Sequence, residues 1–185
     1  MKKIIFFIIL NINLFAIDGF TIYNTANIDK AKGLDMSIQI PNYLEPYQTY
    51  RPNVAMKFVD KNSRDMIMVL VYKDKEFEDI LIDESNYYEA CKYMIDELNL
   101  ANIKASLIDC RLINIEIFPA INMISKTTFK RVDKTLTSFS NDVMFFYKDY
   151  YIKIQSFYGS KQRLDNLSNL YFQVLNSIVI NDLYK

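Results

Sequence analysis

The stretch NDVMFFYKDYYIKIQSFYGSKQRLDNLSNLYFQVLNSIVIND, Asn141–Asp182, decides the fold. It opens on an apolar, aromatic-rich run through Tyr147. Asp149 sits in a turn, and Tyr150–Phe157 then alternates, with Ile152 and Ile154 on the face expected to point inward. Gly159 and Ser160 break the pattern and start a helix over Lys161–Asn176. Leu164, Leu167, Tyr171, Val174 and Leu175 form its apolar stripe. A short β-branched run, Ser177–Ile180, closes the unit as a strand or extended tail. Two strands and a covering helix are the closing piece of a mixed domain.

Upstream, Met1–Ala16 (MKKIIFFIILNINLFA) has two lysines, an apolar stretch diluted by Asn11 and Asn13, and a terminal alanine. This is the pattern of a secretory signal peptide. The competing reading is an uncleaved anchor or a buried first strand. At 16 residues with a polar end, the stretch is short of the roughly 20 apolar residues of a membrane span. No cysteine follows it to carry a lipid. The rest, 17–185, is expected to be one domain, since no repeat or linker interrupts it.

FTIY within Phe20–Tyr23 is a short strand candidate. In Gly33–Pro41, Leu34, Met36, Ile38 and Ile40 alternate with Asp35, Ser37 and Gln39, a strand with one wet face that ends at Pro41. Val54–Val59 and the apolar run Asp65–Tyr72 read as a hairpin about Lys61–Arg64, with the second run in the sheet centre. Glu84–Leu98 carries Tyr87, Cys91, Met94 and Leu98 on one helical face, with Ser85 or Asp83 as cap. Ala105–Phe118 is strand-like until Pro119 interrupts, and Asn122–Val132 and Thr135–Tyr147 follow as further strands. The sum is an α+β fold, an antiparallel sheet of about six to seven strands packed by two long helices.

This order of elements resembles the PsbP-like family of photosystem II accessory proteins and their bacterial secreted relatives. Its shape is similar to a yeast nuclear-import factor that binds a small GTPase. Gly33–Pro41 matches the family's early Gly-strand-Pro segment, and Asn176–Ile180 its late helix ending in Ser-hydrophobic. Leu44 stands where many members carry tryptophan. The resemblance implies a PsbP-like sandwich acting as a binding or accessory module, and it supplies no catalytic residue to carry over.

The composition excludes much chemistry. The chain has no histidine, so Ser-His and Cys-His nucleophiles and His-ligated zinc are out. Three glycines cannot build a phosphate-cradling loop. Lys+Arg and Asp+Glu balance at 22 each, which leaves no electrostatic footprint for nucleic acid. No cofactor or metal is expected.

Three places could carry function. Cys91 and Cys110 in an exported chain suggest a disulfide, against two buried free thiols. Tyr43, Leu44, Tyr47, Tyr50 and Arg51 form an aromatic loop between prolines, either a binding surface or rings folded back onto the sheet. The carboxylates of Lys73–Glu84 read as a solvated loop rather than a calcium site, because no glycine supplies the turn. The expected function is an exported, periplasmic, non-catalytic binding or accessory protein with an unknown protein partner. The alternatives are an immunity-type protein neutralising a periplasmic toxin, or an enzyme working with carboxylates or tyrosine alone.

Overall fold

The computed structural model describes residues 19–101, 103–131 and 134–184. The expected signal peptide, Met1–Ala16, lies outside the described residues. In chain order the elements are β1 (Phe20–Asn24), β2 (Met36–Pro41), β3 (Glu45–Pro46), β4 (Val54–Val59), β5 (Met66–Lys73), α1 (Tyr87–Leu100), β6 (Lys104–Ile115), β7 (Phe118–Arg131), β8 (Lys134–Tyr147), β9 (Tyr150–Tyr158), α2 (Lys161–Asn176) and β10 (Val179–Ile180).

The strands form two sheets. The larger has seven strands in the order β3-β4-β5-β9-β8-β7-β6, and the smaller is β1-β2-β10. Each strand pairs antiparallel with its neighbours. This is the α+β sandwich expected from the sequence, with the smaller sheet as an addition.

One face of β9 (Tyr150, Ile152, Ile154, Ser156, Tyr158) is buried, as its alternation predicts. It shares a core with Met36, Ile38 and Ile40 of β2 and with Tyr171, Val174 and Leu175 of α2. Ser160 caps α2 by accepting from the Arg163 N–H at 3.3 Å. The buried Tyr171 hydroxyl donates to the Ile154 carbonyl at 2.9 Å, so its burial leaves no polar group unpaired. On the opposite face a second core gathers Cys91 and Ile95 of α1 against Ile121, Met123 and Met144.

Three expectations change. The supposed wet face of β2 is buried, with Ser37 and Gln39 each 6% exposed. β2 is the middle strand of the small sheet, and the chain's end closes over it. The Gln39 N–H donates to Ser177 Oγ at 2.8 Å, and Asn181 Nδ2 donates to Ser37 Oγ at 2.9 Å. Pro119 does not interrupt a strand. It lies inside β7 opposite Asn114, and the ladder to β8 begins only at Ala120, so its missing N–H costs no rung there. The break falls instead at Glu116, in the left-handed region at φ 52°. Helix α1 starts at Tyr87 rather than Glu84, because Asp83 holds the preceding residues in a turn. Its carboxylate accepts from the Ser85 N–H at 2.8 Å and the Ser85 hydroxyl at 2.6 Å.

Candidate functional site

The aromatic loop leaves β2 at Pro41, pairs briefly as β3 and rejoins the sheet at β4. Leu44 is 3% exposed and belongs to the core, so this apolar side chain drops out of the expected surface. Tyr43, Tyr47, Tyr50 and Arg51 are exposed, and Tyr43, Tyr47 and Arg51 border three different hollows of the surface.

Tyr43 turns toward Tyr158, Asp65 and Arg163, and partial burial pushes its hydroxyl up to about 12. Tyr47 donates its N–H to the Lys57 carbonyl at 2.8 Å, and Lys57 Nζ lies 4.7 Å from its ring centre. It walls a groove of about 530 Å³ with Tyr23, Ile28 and Phe58. The Lys30 ammonium donates to the Thr49 carbonyl across this groove. Tyr50 is the most open ring of the loop, at 88% exposed. Arg51 reaches the other side of the sheet, where it lines a cavity of about 640 Å³.

That cavity lies beside α1. Its floor is the face of the sheet opposite the main core. Leu70 and Tyr72 come from β5, Lys153 and Gln155 from β9, Asp142 and Ser140 from β8. Asp142 is 2% exposed. Its Oδ2 receives Lys153 Nζ at 2.8 Å and Gln155 Nε2 at 3.0 Å. Burial works against the charged ammonium of Lys153, yet the Asp142 carboxylate holds its pKa above the usual lysine value. Asp142 Oδ1 has no hydrogen-bond partner. Beside this group, cross-strand hydroxyls pair at 2.9 Å (Ser125 and Ser140) and at 2.7 Å (Thr127 and Ser138). Tyr72 and Tyr151 flank it with ring centres 5.5 Å apart.

The cavity wall is held by a covalent bond. Cys91 of α1 and Cys110 of β6 form a disulfide, with Cα atoms 6.5 Å apart. It ties the helix to the edge strand of the large sheet. Two carboxylates of the 73–84 loop hold turns. Asp74 accepts from the Glu76 N–H at 3.1 Å, and Asp83 holds the turn before α1. Among the described residues no cluster of His, Cys, Asp and Glu is arranged to hold a metal, and no helix is long and apolar enough to cross a membrane.

The sequence pattern placed Arg51 in the aromatic loop and singled out none of Asp142, Lys153 and Gln155. In the strand pattern these polar positions oppose apolar ones and look solvated. The one available signal was the acid at Asp142 directly before the apolar run Val143–Phe146.

The chain matches no protein-family profile and no curated protein sequence. Its fold is similar to that of solved proteins. The cyanobacterial PsbP protein CyanoP of Synechocystis sp. aligns at a TM-score of 0.65 and 14% identity, over 89% of this chain and 94% of that one. The Ran-binding protein Mog1p of Saccharomyces cerevisiae aligns at a TM-score of 0.57 and 9% identity, over 87% of this chain and 95% of that one. The PsbP-like resemblance therefore holds at the level of fold.

Proposed function

We propose that this chain is an exported, non-catalytic binding or accessory protein that engages a protein partner in the periplasm. The partner-facing segment runs from Tyr47 through Tyr50 to Arg51. The observation that carries this reading is the exposure of two large rings on one pinned loop, Tyr47 at 57% and Tyr50 at 88%, with Arg51 following Tyr50 in the chain. Tyrosine and arginine are the residues that concentrate binding energy at interfaces. The loop is set in place before a partner arrives, by the Tyr47–Lys57 and Lys30–Thr49 contacts, which lowers the ordering cost of association. The disulfide fits an oxidising compartment, and the fold is shared with a Ran-binding protein.

The test is a photo-crosslinking residue placed at Tyr50 in the full chain, expressed in a Gram-negative host and assayed in the periplasmic fraction. The expected result is one discrete adduct that disappears in the Tyr47→Ala/Arg51→Ala background and does not form from Tyr93, an exposed position on α1. Mass spectrometry of the same fraction should find the chain beginning at Ile17. Equal adducts from both positions, or a chain confined to the cytoplasm, overturns the proposal.

A further inference from the structure

The β7–β8 hairpin runs past the rest of its sheet. The ladder to β9 ends at Phe139 opposite Tyr158, and the ladder to β6 ends at Lys104 opposite Thr128. Beyond them β7 and β8 pair only with each other, through Phe129–Leu136, Lys130–Thr135 and Arg131–Lys134.

Charge is segregated onto this end of the sheet. The chain as a whole balances at 22 basic and 22 acidic residues, yet between Glu116 and Asp142 it carries four basic residues and one acid. Lys126 and Lys130 stand on one face of β7, because side chains alternate along a strand, and Lys104 joins them there opposite Thr128. Strand geometry sets Lys126 and Lys130 about 13 Å apart along the backbone, with Lys104 midway on the neighbouring strand. Lys134 opens β8. All four lysines are exposed, and among the described residues none of them forms an ion pair. The next charges along β6, Asp109 and Arg111, neutralise each other at 2.7 Å. Glu97 of α1 lines the hollow that Phe129 borders, one exposed carboxylate against the lysines.

The same end carries apolar side chains in water. Phe129 and Leu136 are cross-strand partners, 38% and 37% exposed, and Leu100, just before β6, is 78% exposed. Unpaired cations mixed with exposed apolar groups suit a lipid–water interface, where phosphates take the charge and the headgroup layer takes the hydrocarbon. A nucleic acid would use the charges and leave the apolar groups wet.

We propose that this end of the sheet docks on a membrane surface rich in anionic phospholipid. The ammonium groups of Lys104, Lys126, Lys130 and Lys134 meet lipid phosphates, and Phe129, Leu136 and Leu100 bury apolar area among the headgroups. The choice of a lipid surface rests on the exported reading, since a periplasmic protein faces membranes. The surface shares no residue with the Tyr47–Arg51 segment.

The experiment is co-sedimentation of the full-length, disulfide-intact protein with mixed phosphatidylglycerol/phosphatidylcholine vesicles and with phosphatidylcholine alone. Lys104→Gln/Lys126→Gln/Lys130→Gln is compared with Lys61→Gln/Lys92→Gln/Lys161→Gln, which removes the same charge from exposed ion pairs elsewhere. Circular dichroism checks both for folding. All variants keep the same N-terminus, so its apolar stretch cannot produce a difference between them. Binding that prefers the anionic vesicles and is lost in about 0.5 M salt is expected. A cation near such a surface contributes roughly fivefold, so the first triple variant should bind at least about twentyfold more weakly and the second much less so. Phe129→Ser/Leu136→Ser should also weaken binding to the anionic vesicles. No preference for anionic vesicles, equal loss in the two triple variants, binding untouched by Phe129→Ser/Leu136→Ser, or tighter capture by a DNA oligonucleotide overturns the proposal. The Tyr50 cross-link uses none of these lysines and persists in the first triple variant if the loop site stands, so failure at one surface is distinguishable from failure at the other.

Discussion

Arg163 on the first turn of α2 grips Asp65, the residue just before β5 and 98 residues earlier, with Nε 2.8 Å from Oδ2 and 3.1 Å from Oδ1. The Asp65 side chain is 2% exposed, whereas that of Arg163 is 42% exposed. Arg163→Ala strands a buried carboxylate and should cost about 2–3 kcal/mol, less than for a fully buried pair because water reaches the guanidinium. Lys161→Ala removes only an exposed pair with Asp165 and should change stability by about 0.5 kcal/mol or less. Urea denaturation of both variants decides; equal effects refute the assignment.

The Asp142–Lys153 pair should behave differently. Lys153→Met leaves Asp142 with only Gln155 as partner and should cost about 3 kcal/mol. The double variant Asp142→Leu/Lys153→Met should recover most of that loss, because the desolvation cost disappears with both charges. A double variant as unstable as the single one would show that the pair is structurally required.

Reducing the Cys91–Cys110 bridge opens a loop with a sequence separation of 19 and should cost about 3 kcal/mol. Comparing guanidinium midpoints with and without reductant measures it. Alkylation of the unreduced, unfolded protein should label neither cysteine.

Leu175 is 2% exposed in the main core, so Leu175→Asp places a carboxylate where nothing can hydrate it and should unfold the domain. Tyr47→Ala loses one exposed ring over Lys57 and should cost about 0.5–1 kcal/mol. Circular dichroism separates the two; a folded Leu175→Asp protein would contradict the packing described.

Alkali should destabilise the fold in a defined window. Burial pushes the hydroxyls of Tyr43, Tyr151 and Tyr158 up to about 12 from the ordinary 10.0, and it raises that of Tyr171 well above 10.0 too. A raised folded-state pKa means the neutral phenol is favoured by folding. The stability these groups contribute is therefore complete below pH 10.0 and is lost as pH rises through about 12. Tyrosinate absorbance should show these rings still protonated at pH near 11 in the folded protein and ionising together once it unfolds. Simultaneous ionisation of every tyrosine while the protein remains folded would contradict this.

Local sequence determined the elements and their inward faces. The bounds of α2 and the buried face of β9 follow from apolar periods of 3.6 and 2 alone, because burial of those stripes is what forms them. The helix that carries Cys91 and the strand that carries Cys110 were legible in the same way. Tertiary structure decided what local pattern cannot encode. The alternation in β2 is identical whether Ser37 and Gln39 meet water or Asn181 and the Ser177 segment. Only the return of the chain's end across the small sheet selects burial. Leu44 entered the expected surface as a loop residue, and packing beneath that loop took it into the core. The cavity was invisible for a related reason. Asp142, Lys153 and Gln155 are polar alternates on separate strands. They become one group about a buried, partly unsatisfied carboxylate only where antiparallel register sets β8 beside β9 and α1, held by its disulfide, walls that face.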